Sequence, residues 1–237
     1  MNLPTLVLVP GLMCDHAVWS PLLPWLAPKR HCVVADHGDS DDLADMARRI
    51  LAAVPGTFAL AGHSMGGRVA LELVRMAPER VSHLALLDTG YLPCPPGEAG
   101  EEEARKRYAL LDLARRQGVR AMASDWVRGM VHPARLDDAA LVGAIHDMFE
   151  RKSADTFSRQ VHALLQRPDA TPVLRQLQVP TLVQCGRQDS WAPVAQHEAL
   201  CALVPGARLD LIEDAGHMAP MERPQAVAES LLRWLAA

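Results

Sequence analysis

The chain has 237 residues, of which 49 % are hydrophobic and 22 % charged, and its formal net charge is −4. That length fits one large domain, or one domain carrying a sizeable insertion, and the composition excludes an intrinsically disordered chain and a coiled coil. The mildly acidic balance argues against a nucleic-acid binder or a membrane binder that works through bulk positive charge.

Thr5–Val9 (TLVLV) is a continuous apolar run ending at Pro10-Gly11, which predicts a strand buried on both faces. Residues 18–26 predict a short helix, and residues 31–35 (HCVVA) a second strand followed by an acidic turn. Over 42–54, Leu43, Met46, Ile50, Leu51 and Val54 recur at helical spacing, and Pro55-Gly56 stops the helix. Residues 57–61 predict a third strand, Met65–Met76 a helix, and Val81–Leu87 a fourth strand. This alternation predicts a parallel α/β sheet with right-handed crossovers.

From 91 to 178 no strand pattern occurs. Amphipathic helical patterns run over 99–117, 119–130, 136–151 and Ala154–Leu165. The α/β rhythm resumes with a strand over 180–185, a helix over 193–204, a strand over 207–212 and a helix over 224–235. The expected organisation is therefore a core made of residues 1–90 and 179–237, interrupted by a helical insertion at 91–178.

Cys14, Cys32, Cys94, Cys185 and Cys201 are odd in number and scattered, which reads as reduced thiols. The first ten residues lack a basic n-region and a cleavage site, and no apolar run reaches ~18 residues. The expected location is cytoplasmic, with no membrane association. Asp36, His37, Asp39 and Asp41, in and just after the acidic turn, lack the paired spacing of a metal site and read as a polar loop.

Residues 62–67, Gly62-His63-Ser64-Met65-Gly66-Gly67, match G-x-S-x-G between a strand run and a helix run. Chemistry explains the pattern: a sharp strand-to-helix turn projects a serine hydroxyl above the sheet, and the flanking glycines permit close packing. Ser64 is the expected nucleophile. His217 lies on the loop after the last predicted strand, at the carboxyl edge of the sheet, and is the expected base. His63 reads as a residue that shapes the turn, and His83 as a satisfied core residue. Asp189 follows the penultimate strand and is the preferred carboxylate to orient His217; Asp88, at the end of the fourth strand, is the rival. The chain order Ser64, Asp189, His217 fits a serine–acid–histidine hydrolase. The oxyanion donors are expected to be the backbone N–H groups of Leu12 and Met65.

The segments VPGLMCDHAVW, GHSMGGRVALEL, VPTLVQCGRQDSWAP and DAGHMAPMERPQAV together resemble the α/β-hydrolase superfamily. The likeness is to the branch of small carboxylesterases, among them those acting on pimeloyl-carrier-protein methyl ester, and of meta-cleavage-product hydrolases. It covers about two-thirds of the chain. Pro10-Gly11 replaces the His-Gly of many members, and two N-terminal strands common in the superfamily are missing, which implies a sheet of about six strands. The resemblance implies that 91–178 forms a cap over the site, with Met122, Trp126, Met130, Met148, Phe149 and Trp191 as candidate pocket walls or packing residues. It implies no cofactor and no metal. The expected activity is acyl-enzyme hydrolysis of a small or medium carboxylic ester. Carbon–carbon bond hydrolysis, lactone or thioester hydrolysis and cofactor-free perhydrolysis on the same triad stay open, as does a non-catalytic ligand receptor on the same fold. A polar pocket with Arg68 beside Ser64 would favour an acid-bearing substrate; an apolar one would favour a plain ester.

Overall fold

The computed structural model describes residues 4–236. Strands β1 (Thr5–Val9), β2 (Cys32–Val34), β3 (Phe58–His63), β4 (Val81–Leu87), β5 (Thr181–Gly186) and β6 (Arg208–Ile212) form one six-stranded sheet in the order β2-β1-β3-β4-β5-β6. Every neighbouring pair is parallel. All of β3 and β5 and most of β1 are buried, whereas β2 is half-buried and β6 is exposed at its start. This is why β1 and β3 read as nearly continuous apolar runs: helices cover both faces of the sheet there. The chain runs from β1 outward to β2 and then crosses to β3 on the other side of β1. Val9 and Gly62 pair at the carboxyl ends of β1 and β3, which is the point where a ligand crevice opens in such sheets.

The helices are α1 (Leu23–Leu26), α2 (Leu43–Ala53), α3 (Met65–Met76), α4 (Glu98–Gln117), α5 (Val119–Trp126), α6 (Ala139–Glu150), α7 (Ala154–Leu165), α8 (Thr171–Arg175), α9 (Val194–Ala202), α10 (Ala219–Glu222) and α11 (Pro224–Trp234). Side-chain caps fix several starts: Asp42 accepts from the Asp45 N–H, Asp138 from Leu141, and Ser153 from Thr156. The Asp138 cap begins α6 three residues later than the helical pattern over 136–151 predicts. The expected helix over 119–130 ends as α-helix at Trp126 and tightens into a 3₁₀ turn, Val127–Gly129. Residues 18–26 form 3₁₀ turns before α1 rather than one helix. Helices α8 and α10 are too short to display a helical period, and both begin with proline in the first turn.

Helices α4 to α8 occupy the stretch between β4 and β5. Helix α4 packs on α5 and α7, and α5 packs on α6. Met122, Ile145, Met148, Phe149, Phe157 and Val161 are all fully buried there, in one cluster continuous with the core on the sheet. Each side chain of this size contributes roughly 1.5–3 kcal/mol by leaving water. An ion-pair clasp adds a polar tie: Glu103 on α4 receives both guanidinium nitrogens of Arg167, each at 2.7 Å. Among the described residues no helix is long and apolar enough to cross a membrane.

Candidate active site

Ser64 stands between β3 and α3 with φ 55° and ψ −118°, a conformation that L-residues rarely adopt. Close packing around it dictates glycine. A Cβ on Gly62 would stand 2.6 Å from the Gly66 carbonyl carbon, and one on Gly67 would meet the Thr89 side chain at 2.6 Å. A Cβ on Gly66 would clash with the Val9 carbonyl oxygen at the end of β1 and would lie 2.6 Å from the Pro10 oxygen. The Thr89 hydroxyl donates to the Ser64 carbonyl at 2.7 Å, which braces the turn from β4.

The loop after β1 wraps the other side of the serine. His37 Nε2 donates to the Pro10 carbonyl at 2.8 Å, and burial holds its imidazole below the usual range. The neutral ring therefore carries its proton on the nitrogen facing that acceptor. Met13 has φ 61°, and its N–H donates to Gln160 Oε1 on α7 at 2.8 Å. The Leu12 and Met65 N–H groups take no partner among the described residues, and both residues line the cavity beside Ser64.

His217 follows β6. Its N–H donates to the Met130 carbonyl at 2.8 Å, and its own carbonyl accepts from His63 Nε2 at 2.7 Å. Glu222 fixes the loop further, because its carboxylate accepts from the Gly216 N–H at 2.8 Å and from the His132 N–H at 2.7 Å. The imidazole is then held at both ends. Nδ1 lies 2.8 Å from Asp189 Oδ2, and Nε2 lies 2.8 Å from Ser64 Oγ. Asp189 Oδ1 accepts the N–H groups of Trp191 at 2.8 Å and Ala192 at 2.9 Å.

Charge separates the two candidate acids. Burial works against ionisation of Asp189, but the adjacent His217 and the backbone N–H donors outweigh it and hold its carboxyl below the ordinary range. Asp88 is fully buried, and burial together with the Asp189 charge pushes its carboxyl well above the ordinary range. Its Oδ1 accepts the Gly186 N–H at 2.8 Å, and its Oδ2 has no hydrogen-bond partner among the described residues. An ionised Asp189 accepts from His217 Nδ1, so in the neutral imidazole the lone pair lies on Nε2, aimed at the serine hydroxyl.

His63 is the buried end of β3, next to Ser64, and burial with His217 alongside pulls it down to about 3. It is neutral and donates to the His217 carbonyl. His83 is half-buried, beside the Trp234 ring at 5.7 Å, rather than a core residue. The residues of the acidic turn disperse: Asp36 accepts the Gly38 N–H and Asp39 pairs with Arg159.

A cavity of about 440 Å³ opens above Ser64. Trp126, Phe157, Leu164, Leu110 and Trp191 give it an apolar wall. Trp126 stacks on Trp191 with 5.3 Å between ring centres, and Trp191 stands 4.9 Å from the His217 ring. Trp126 and Trp191 thus reach the cavity. Met130 and Met148 do not line it: Met148 is buried among the helices, and Met130 supplies the carbonyl that holds His217. Met122 and Phe149 are likewise packing residues. Cys14 also faces the cavity, but burial and Asp15 push its thiol up to about 12, so it is not a rival nucleophile. Gln160, a polar side chain on the apolar face of α7, was open to detection as a break in that face. Nothing in the sequence marks Glu222 as buried.

Residues 6–230 match the Alpha/beta hydrolase family. The chain belongs to that family. It is 30 % identical over 252 residues to RutD of Pseudomonas savastanoi pv. phaseolicola, which bears a provisional carbamate-hydrolase name, covering 98 % of this chain and 93 % of that one. It is 28 % identical to the pimeloyl-[acyl-carrier protein] methyl ester esterase of Methylococcus capsulatus, covering 98 % of this chain and 95 % of that one. A thermophilic esterase from Thermogutta terrifontis superposes with a TM-score of 0.89 at 25 % identity, covering 99 % of this chain and 90 % of that one. This α/β-hydrolase has a six-stranded sheet, as the sequence resemblance implied. Membership in this family, with esterase-named relatives, makes it a hydrolase.

Proposed function

We propose that this hydrolase cleaves a small or medium carboxylic ester through an acyl-enzyme formed on Ser64. The observation that carries the reading is the unbroken relay from Asp189 through His217 to Ser64, with both contacts at 2.8 Å, at the floor of a cavity. Ser64 Oγ attacks the ester carbonyl as His217 Nε2 takes its proton. Asp189 keeps Nδ1 protonated and stabilises the imidazolium. The carbonyl oxygen becomes an oxyanion between the Leu12 and Met65 N–H groups, with the N-terminus of α3 adding partial positive charge. Collapse expels the alcohol, which takes the proton from His217. Water then attacks the acyl-enzyme with His217 as base, releasing the acid and restoring Ser64. Residues 91–178 act as a cap that excludes water and shapes the acyl pocket. The test is hydrolysis of p-nitrophenyl esters from acetate to decanoate by wild type and Ser64→Ala in parallel. Serine-dependent turnover with a chain-length optimum supports the reading; equal turnover by both proteins removes it.

The same relay serves carbon–carbon bond hydrolysis of an acid-bearing diketone, and Arg68 on the cavity wall is the observation that favours this second reading. A relative with 28 % identity is a 2-hydroxy-6-oxononadienedioate/2-hydroxy-6-oxononatrienedioate hydrolase of Klebsiella pneumoniae. Loss of the dienoate chromophore on mixing with enzyme separates it from ester cleavage.

Gln160 couples the cap to the oxyanion loop, since it satisfies a buried N–H one residue after Leu12. Gln160→Leu removes the acceptor, and leaving that donor unsatisfied costs about 1–3 kcal/mol. The expected result is a lower Tm and a kcat reduced between about ten- and a hundred-fold, through misplacement of the loop, with little change in KM. Gln160→Glu keeps an acceptor and is expected to recover most of kcat. An unchanged kcat in Gln160→Leu would detach the contact from catalysis.

A further inference from the structure

The lining of the cavity is also cationic. Arg68, Lys106, Arg107 and Arg167 all line it, and Glu103 is the ionised carboxylate among them. Burial opposes ionisation of Glu103, but Arg167 and Arg107 overcome it and pull it down to about 2. That one carboxylate serves two guanidinium groups, Arg107 at 2.9 Å and Arg167 at 2.7 Å. Lys106 reaches outward to Glu102 at 3.4 Å.

Arg68 is different. It lies one helical turn after Ser64 on α3, on the helix whose start forms the nucleophile turn. No carboxylate lies within ion-pair distance of it among the described residues; its Nη1 donates instead to the Leu92 carbonyl at 2.7 Å. Its Nη2 lies over the backbone of Gly90, where a Cβ would approach within 2.8 Å, so the absence of a side chain at 90 leaves room for it. Burial, with Arg167 alongside, lowers the guanidinium to about 9, which still leaves it cationic at neutral pH. A half-buried cation without a carboxylate of its own, facing a cavity whose three other cations already share Glu102 and Glu103, carries a standing electrostatic cost that a bound anion removes.

We infer that the substrate bears an anionic group, a carboxylate in the simplest case, away from the bond that is cleaved, and that Arg68 pairs with it while the aromatic wall holds the intervening chain. The inference rests on the serine-hydrolase reading above and narrows its substrate class from neutral esters to acid-bearing ones. Arg68 then sets specificity: its planar fork can give a carboxylate two parallel hydrogen bonds, which lysine cannot.

The test uses the whole chain and paired substrates: monomethyl esters of straight-chain dicarboxylic acids from succinate to azelate, and the same esters with the free carboxylate replaced by a primary amide of equal size. Methanol release gives kcat/KM for each member. The expected carboxylate-to-amide ratio at the best chain length is on the order of 10- to 100-fold. Arg68→Gln, which keeps a donor for Leu92, is expected to bring that ratio close to unity, and Arg68→Lys to restore part of it. A ratio near unity in wild type at every length, or one that survives in Arg68→Gln, overturns the inference. A second arm measures how fast a fluorophosphonate labels Ser64 in the presence of each dicarboxylate or its diamide. Anion-selective protection that disappears in Arg68→Gln supports the subsite. Equal protection by both removes the subsite alone, whereas failure to label Ser64 in folded protein removes the serine-hydrolase reading beneath it.

Discussion

Ser64→Ala is expected to lower kcat by on the order of 10⁶-fold, and Asp189→Asn by on the order of 10⁴-fold, with folding intact in both. The two numbers differ for a physical reason. Without Oγ there is no acyl-enzyme, and only binding and the oxyanion donors remain. Asparagine at 189 can keep the hydrogen bonds from the Trp191 and Ala192 N–H groups, yet its amide can donate to His217 Nδ1, which places the imidazole proton on Nε2 and aims it at the serine instead of a lone pair. Asp88→Asn is the paired control. Asp88 makes its hydrogen bond to Gly186 rather than to His217, and burial with the Asp189 charge pushes its carboxyl well above the ordinary range, so an amide of the same shape is expected to change kcat by less than about ten-fold. Steady-state kinetics on the three variants checks the assignment. Collapse in Asp88→Asn with near-normal turnover in Asp189→Asn would transfer the orienting role to Asp88.

The largest expected stability effect lies one layer below the chemistry. Gly66→Ala places a methyl group against the Val9 and Pro10 carbonyl oxygens. Both are main-chain atoms at the buried carboxyl end of a central strand, so no side-chain rotation relieves the contact. Either β1 or the start of α3 must move, which reaches or exceeds the top of the range for overpacked cores, about 3 kcal/mol. For a domain of this length that is a Tm loss of roughly 6–12 °C, and the same displacement moves the Leu12 and Met65 N–H groups, so activity falls with it. Gly143→Ala is the contrast. Gly143 sits inside α6, where an added Cβ meets nothing within 4 Å. Alanine there is expected to stabilise by about 0.5–1 kcal/mol through helix propensity and lost unfolded-state freedom. Thermal melts of the two variants beside wild type decide it. A Gly66→Ala protein that melts like wild type would show that the turn tolerates a wider elbow than its geometry implies.

Much of this molecule is legible in its sequence because the features that build the site are local. The continuous apolar run at Thr5–Val9 states a doubly covered parallel strand, and the glycines around Ser64 state the tight crossing of β3, α3 and β1. The order of Ser64, Asp189 and His217 along the chain follows from strand ends that the alternation already locates. What the sequence conceals is orientation. Met148 and Trp126 both lie on apolar helix faces, and an apolar face turned toward a cavity has the same pattern as one turned toward another helix. Met148 went to the core and Trp126 to the cavity because of how α5, α6 and α7 pack, which no period encodes. Gln160 and Glu222 act over 147 and 90 residues of chain separation, through backbone N–H groups that carry no sequence signature. Arg68 was visible as a residue one turn beyond Ser64, but only the fold shows that it faces the cavity without a carboxylate partner.

The proposed mechanism rests on Ser64 Oγ acting as a nucleophile activated by His217. The most direct measurement is exposure of wild type, Ser64→Ala and His217→Ala to a fluorophosphonate, followed by peptide mass mapping. Rapid, stoichiometric modification of Ser64 is expected in wild type, none at any residue in Ser64→Ala, and labelling slowed by several orders of magnitude in His217→Ala. Folded wild type that stays unlabelled, or labelling that proceeds equally in Ser64→Ala, would contradict it.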